Sequence, residues 1–309
     1  MTKPADRKKI LVYSTGRSKT TKLMLKFSNG INNIDPKWIA EFRNIEHFLA
    51  HGFGPGVHAV AVLGILRGTG MAMQEAAKQG IDRYYLDHAY FDSGYGGKGW
   101  MRISKNRHTM NYVKDVPKDR WKLYFNDKYE LKPWKTRANR GNKILVLPPT
   151  HAVQWYFNAQ EWCDQIVDRL KQVLPEHMHE DIKIRIKPNE PIVDKAGNLI
   201  RLEKHSDIQT EPLEQDLAES NVVIAYNSNV ALQAMLAGIP VISNQHCSVY
   251  PVSFTIDDLI ADTNNPVFDA EPDRWNLVKW LSYSQFKTNE IENGSAWQML
   301  QRHQWDVKG

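Results

Sequence analysis

The stretch Glu219–Asn244, ESNVVIAYNSNVALQAMLAGIPVISN, constrains this chain more than any other. Val222–Ala225 reads as a short apolar strand that runs into the polar turn Tyr226-Asn227-Ser228-Asn229. From Val230 to Ala237 most residues are good helix formers, Gly238 is placed to end the helix, and Pro240 with Val241-Ile242 opens the next buried strand. The result is a β-α-β unit. Its turn sets Ser228 and Asn229 at a helix N-terminus, where unpaired backbone NH groups and the positive end of the dipole favour an anion such as a phosphate. Ser and Asn are also ordinary N-caps, so helix stability alone would account for them.

The 309 residues are 42% hydrophobic and 24% charged, enough for two domains with their own cores. No apolar run approaches 18 residues, and the start, MTKPADRKK before ILVYS, reads as a charged tail ahead of a strand, so a cytoplasmic protein without a membrane span is expected. Cys163 and Cys247 form neither a metal nor a disulfide pattern.

Ile10–Tyr13 predicts a first buried strand ending in the turn Ser14-Thr15-Gly16, and Ala59–Leu66 a second. Gly52, Gly54 and Gly56 precede that strand, so they are not a dinucleotide fingerprint. A helix over about Gly70–Lys78 leads to the strand Tyr84-Tyr85-Leu86, which ends in Asp87-His88. A carboxylate and an imidazole at a strand end can take a proton from an acceptor hydroxyl, or can cap a turn and pack at the surface. Ser93–Gly99, SGYGGKG, is glycine-rich enough for a mobile loop.

A second α/β series starts at Ile144–Leu147, with Pro148-Pro149-Thr150 as its turn. Trp162, Ile166, Val167 and Leu170 recur at helical spacing and predict a core face, and Leu213–Ala218 a short helix. In Asp181–Pro188, DIKIRIKP, the cations Lys183, Arg185 and Lys187 alternate with isoleucines. Three cations on one face of a strand suit a water-facing edge, or a site where Arg185 and Lys187 meet an anion. Net charge is +5, and Lys128–Lys143 holds Lys132, Lys135, Arg137 and Arg140 with Trp134 interleaved. Such a stretch can neutralise phosphates and stack on bases, or it can be a solvated linker.

Ser228–Ile242, SNVALQAMLAGIPVI, resembles the donor-binding motif of the C-terminal domain of GT-B glycosyltransferases, especially the capsule-polysaccharide and phage-encoded groups. YYLDHAYF (Tyr84–Phe91) followed by RISKNRH (Arg102–His108) is similar to the N-terminal domain of the phage-type enzymes. The resemblance implies two Rossmann-like α/β domains facing across a cleft: residues 1–140 on the acceptor side with the basic linker, 141–270 binding the nucleotide sugar, and 271–309 as helices that cross back. It implies donor contacts from Arg185, Lys187, Asn227, Ser228, Asn229 and Gln233, with Thr150 and Gly16 at strand-end turns, and catalysis by Asp87 and His88. Gln233 stands where the family has an acidic residue for the donor ribose, and an amide pairs with hydroxyls more weakly. The R-x-K cations would stabilise the leaving nucleotide diphosphate, so no metal is called for and, the nucleotide sugar being a co-substrate, no cofactor is expected.

The resulting expectation is a glycosyltransferase acting on hydroxymethylated pyrimidine in double-stranded phage DNA, contacted by Arg102, Lys132, Trp134, Lys135, Arg137 and Arg140. Two alternatives stay open: transfer onto a polysaccharide or lipopolysaccharide, and an inactive nucleic-acid-binding module.

Overall fold

A computed structural model describes residues 7–94, 99–205 and 211–303. Most of the glycine-rich loop after Ser93 lies outside them. The chain forms two compact units: the first takes the described residues up to His108, Val193–Leu199 and those from Leu281 onward, and the second takes Thr109–Ile192 and Ile200–Trp280.

The first unit begins β1 (Lys8–Ser14), α1 (Ser18–Ile34), β2 (Trp38–Asn44), α2 (Ile45–His51), β3 (Val57–Leu63), α3 (Thr69–Lys78), β4 (Asp82–His88), β5 (Trp100–Lys105). The second holds α4 (Asp119–Tyr124), β6 (Lys143–Leu147), α5 (His151–Phe157), α6 (Trp162–Val173) and β7 (Ile182–Ile184). After these come the two-stranded β8 (Asn189–Val193) and β9 (Leu199–Lys204), then α7 (Leu213–Ala218), β10 (Ser220–Ala225), α8 (Asn229–Leu236), β11 (Val241–Ser243), α9 (Ile256–Asp262) and α10 (Arg274–Tyr283). The chain then returns as β12 (Gln285–Lys287), α11 (Thr288–Glu292) and α12 (Ser295–His303).

In the first unit the strand order is β12-β5-β4-β3-β1-β2, parallel from β2 to β4, with β5 antiparallel to both β4 and β12. Ile10 to Tyr13 are all fully buried, as expected for a central parallel strand covered on both faces. Ile10 and Val12 pack with Met24, Phe27 and Ile31 of α1 and with Trp297 and Leu300 of α12. Trp297 lies edge-on to Trp38 at 5.3 Å, and its indole NH donates to Asp35 at 2.9 Å. The returning tail thus completes this core, and β12 gives the sheet an edge that the sequence reading did not foresee.

The second sheet has the order β11-β10-β6-β7, parallel throughout. Ile144, Val146, Val222, Ile224 and Ile242 form one core with Leu170 of α6, and Trp162 and Ile166 pack against it. The expected β-α-β unit is present as β10-α8-β11. The expected strand over 181–188 is paired for only three residues and lies at the sheet edge.

Residues 109–140 join the second unit rather than the first because their backbone is fastened to the end of α8. Lys132 N donates to Leu236 O and Lys135 N to Gly238 O, each at 2.9 Å, and Arg274 donates to the carbonyls of Met235 at 2.8 Å and Lys132 at 3.0 Å. Gly238, at φ +77°, permits this docking, since a Cβ there would strike the Pro133 carbonyl.

Candidate functional site

In the second sheet, β7 was added on one side of β6 and β10 on the other, so the connections after β6 and β10 diverge at their carboxyl ends. Ligands of open parallel sheets gather at such a switch point. Two turns meet there: Leu147-Pro148-Pro149-Thr150 leading into α5, and Tyr226-Asn227-Ser228 leading into α8. Tyr226 N reaches Leu147 O at 3.5 Å between them.

Ser228 is the N-cap of α8, and its hydroxyl accepts from Val230 N at 3.2 Å; the first turn holds no acidic residue. Asn227 and Ser228 are half-buried, while Asn229 and, one turn on, Gln233 are exposed. The N-terminus of α5 differs. There His151 N donates to Glu190 Oε1 at 2.5 Å, and the other Glu190 oxygen lies 3.1 Å from His205 Nε2. Beside Thr150 the chain supplies its own carboxylate, which leaves α8 as the end better suited to an outside anion.

Aromatic rings line the same edge. His246, after β11, stacks on Tyr226 at 5.2 Å and lies 4.0 Å from Phe157, while Trp162 meets Tyr226 edge-on at 5.5 Å. Burial pushes the Tyr226 hydroxyl up to about 12 and the His246 imidazole below its ordinary value, so both are neutral at pH 7. The Ser243 hydroxyl at the end of β11 is buried without a hydrogen-bond partner among the described residues. Sequence reasoning missed this cluster, whose members lie in three separate connections and show no spacing.

Arg185 is turned elsewhere. Its guanidinium pairs with Asp216 of α7 and donates to Glu211 O at 3.0 Å; Lys183 binds the same carboxylate at 2.6 Å and pairs with Glu211. Burial would raise the pKa of Asp216, whose side chain is 0% exposed, but the hydrogen bonds and charges of Lys183 and Arg185 outweigh it and hold the carboxyl below the usual range. Two cations therefore face two acids, and β6 separates β7 from β10, putting about 10 Å between those strands. The expected meeting of Arg185 with a diphosphate at Ser228 gives way to this ion pair. Lys187 is exposed and has no partner among the described residues.

In the first unit Asp87 is a hub. Tyr85 OH donates to it at 2.6 Å, His88 N at 2.8 Å and Arg102 Nη2 at 3.2 Å. Burial again acts to raise its pKa, but the Arg102 charge, the Tyr85 hydrogen bond and His108 prevail and lower it. A carboxylate so engaged anchors Arg102 and is a poor proton acceptor, which favours a role as partner of another group over that of base. His88 is exposed, with Nδ1 2.8 Å from Ser93 Oγ. Gln285 of β12 accepts from Tyr90 N and Phe91 N at 2.9 Å each and so fixes the turn beyond.

The proposed nucleic-acid contacts are mostly withdrawn from solvent. Arg102 is 7% exposed and bound to Asp87. The Arg140 side chain is 1% exposed, 2.9 Å from Asp262 and 3.6 Å from Asp269. Trp134 donates to Phe268 O at 2.7 Å beneath the Arg274 guanidinium. Lys132 and Arg137 stay exposed, and Lys135 is half-buried, its pKa lowered by burial and by Lys132. The basic stretch is a strap on the second unit.

Gly16 ends the β1–α1 turn of the first unit, whereas the donor residues it was grouped with belong to the second. Beside it Tyr13, 0% exposed, packs on Phe48 and Phe53, and its hydroxyl lacks a hydrogen-bond partner among the described residues. The turn after β3, the next strand over, carries Arg67, a non-glycine residue at φ +62°, a conformation that costs about 1–2 kcal/mol. Among the described residues no helix is long and apolar enough to cross a membrane, and no group of three His, Cys, Asp or Glu is gathered to hold a metal.

No protein-family model matches the chain, and no curated protein matches its sequence. Among solved structures it is similar to two parts of KpsC from Thermosulfurimonas dismutans. One is the β-Kdo 2,4-transferase, at 11% identity over 77% of this chain and 80% of that one, TM-score 0.40. The other is the β-Kdo 2,7-transferase, at 10% identity over 94% and 99%, TM-score 0.40. A protein described as a UDP-N-acetylglucosamine 2-epimerase from Listeria monocytogenes aligns at 11% identity over 98% of both chains, TM-score 0.25. Likeness of this degree leaves the chemistry to be argued from the residues themselves.

Proposed function

We propose that this protein is a glycosyltransferase that takes a sugar from a nucleotide-sugar donor and places it on a hydroxyl of a glycan. The observation that carries the reading is the α8 N-terminus at the β6/β10 switch point. It is capped by Ser228, free of acids in its first turn and flanked by the aromatic rings of Tyr226, Phe157 and His246. An anion at the helix end and a planar group against the rings are the two halves of a nucleotide diphosphate. The resemblance of Ser228–Ile242 to the donor motif of GT-B transferases supports the same ligand, with Gln233 exposed on the helix for ribose hydroxyls.

In this proposal the second unit holds the donor. The acceptor oxygen attacks the anomeric carbon and gives up its proton to a base, the role proposed for His88, and the bond to the nucleoside diphosphate breaks with the charge stabilised by the helix end and Lys187. Asp87 contributes by receiving the His88 NH and so setting the residue in place. A glycan acceptor is favoured over DNA because Trp134, Arg140 and Arg102, the stacking and clamping members of the DNA reading, are engaged within the protein.

The test is a thermal-shift panel of nucleoside diphosphates and nucleotide sugars, since a ligand at 100 times its Kd adds about 2.7 kcal/mol to the native state. The expected result is a shift with one nucleotide class that Ser228→Pro abolishes. No shift with any member overturns the donor site and leaves the inactive-module reading, which detectable turnover of any nucleotide sugar would remove.

A further inference from the structure

The first sheet has a switch point of its own. β1 lies between β2 and β3, so the turns after β1 and β3 leave the same edge from adjacent strands, whose backbones are about 5 Å apart. Val12 is level with Ala61, which sets Ser14 level with Leu63. Three residues past Ser14 comes Arg17, the N-cap of α1; four past Leu63 comes Arg67, just before Gly68, the N-cap of α3. Neither guanidinium has an ion-pair or hydrogen-bond partner among the described residues, and neither helix carries an acid in its first turn.

The two charges also act on each other. Burial lowers the pKa of half-buried Arg67, and the charge of Arg17 lowers it further. Four other arginines, more sheltered than exposed Arg17, are neutralised: Arg102 has Asp87, Arg140 has Asp262, Arg185 has Asp216 and Arg274 has Glu271. At this edge the two like charges have no ion-pair partner among the described residues, and the acid of the adjoining turn, Glu46 in the first turn of α2, is exposed. The turns are also tied down. Ser14 Oγ receives Gly16 N at 3.2 Å and pairs with Thr21 Oγ1 at 2.6 Å, and Thr69 Oγ1 donates to Leu66 O at 2.6 Å. A Cβ at Gly16 would lie 3.9 Å from Asn44 Nδ2, which puts a neutral donor beside the β1–α1 turn.

From the placement of Arg17 and Arg67 at the β1/β3 switch point, we infer that the first unit binds an acidic sugar, gripping its carboxylate or phosphate between the two guanidiniums. The inference deepens the glycosyltransferase reading and rests on it for the word acceptor: the acceptor glycan carries an anionic residue. Two unopposed guanidiniums gain most from an oxyanion, because binding removes their mutual repulsion as well as forming charge-assisted hydrogen bonds.

Titration calorimetry of the full chain with D-glucuronate, glucose 6-phosphate and D-glucose tests this, since the three share a ring and differ in charge. Glucuronate or glucose 6-phosphate should bind at least about tenfold more tightly than glucose, and Arg17→Gln with Arg67→Gln should remove that preference. Whichever acid binds better identifies the group as carboxylate or phosphate. Nucleotide binding by the same variant serves as the folding control, and its failure in the wild type would count against the donor site alone. Equal binding of all three sugars, or an acid preference that survives the double substitution, overturns the inference. So does a short DNA duplex that binds more tightly than either acid and is lost in the same variant.

Discussion

Replacing Asp216 by asparagine keeps the shape of the side chain and removes the charge on which Lys183 and Arg185 converge. Breaking a buried ion pair from one side costs about 3–5 kcal/mol. Here the side chains of Lys183 and Arg185 are 32% and 14% exposed and recover some hydration, so about 2–3 kcal/mol is expected. At about 2–4 °C per kcal/mol for a unit of this size, the midpoint of the second unit should fall by roughly 5–10 °C at pH 7. The pH dependence follows from the lowered carboxyl pKa. A group with a depressed folded pKa contributes stability above its unfolded value of about 3.9, and that contribution is lost as pH falls through the folded value. The deficit of the variant should therefore be level from pH 8 to pH 5 and shrink only in stronger acid, where wild-type Asp216 itself becomes neutral. Calorimetric scans or urea midpoints at pH 8, 5 and 3 measure this. A variant as stable as the wild type at pH 7, or a deficit already fading near pH 6, would refute the assignment of Asp216 as the charged anchor of the edge strand.

Asp87→Asn should destabilise the first unit by about 3 kcal/mol, because it strands the buried Arg102 guanidinium; urea unfolding measures it, and an unchanged midpoint would return Asp87 to the list of free catalytic carboxylates. Tyr13→Phe should leave the melting temperature unchanged or raise it, since the buried hydroxyl it removes has no hydrogen-bond partner among the described residues; a loss above about 1 kcal/mol would mean that a water or ligand satisfies it. Gln233→Glu should tighten binding of the nucleotide sugar by about fivefold, through a charge-assisted bond in place of a neutral one. Calorimetry that shows equal or weaker binding would take Gln233 out of the donor site.

Much of the α/β architecture was legible along the chain because its signals are local. The apolar run Ile144–Leu147, the cap Ser228 and the stop Gly238 each act within a few residues, and strand and helix appear where they predict them. The end of β3 was read three residues too far, since Gly64 to Leu66 are apolar yet belong to the turn that carries Arg67. The alternation in DIKIRIKP signalled a charged strand face, but not what faces it.

What the sequence determined by itself was therefore the kind of elements and where a helix such as α8 is capped and stopped. Which charges remain free to act was decided by tertiary structure, because a charge is cancelled by whatever stands opposite in space. Arg185 meets a carboxylate 31 residues away and Arg140 one 122 residues away, whereas Arg17 and Arg67 lie in turns brought side by side by the pairing of β1 with β3. Hydrogen-bonding period and capping are properties of neighbours along the chain; electrostatic pairing is a property of neighbours across it.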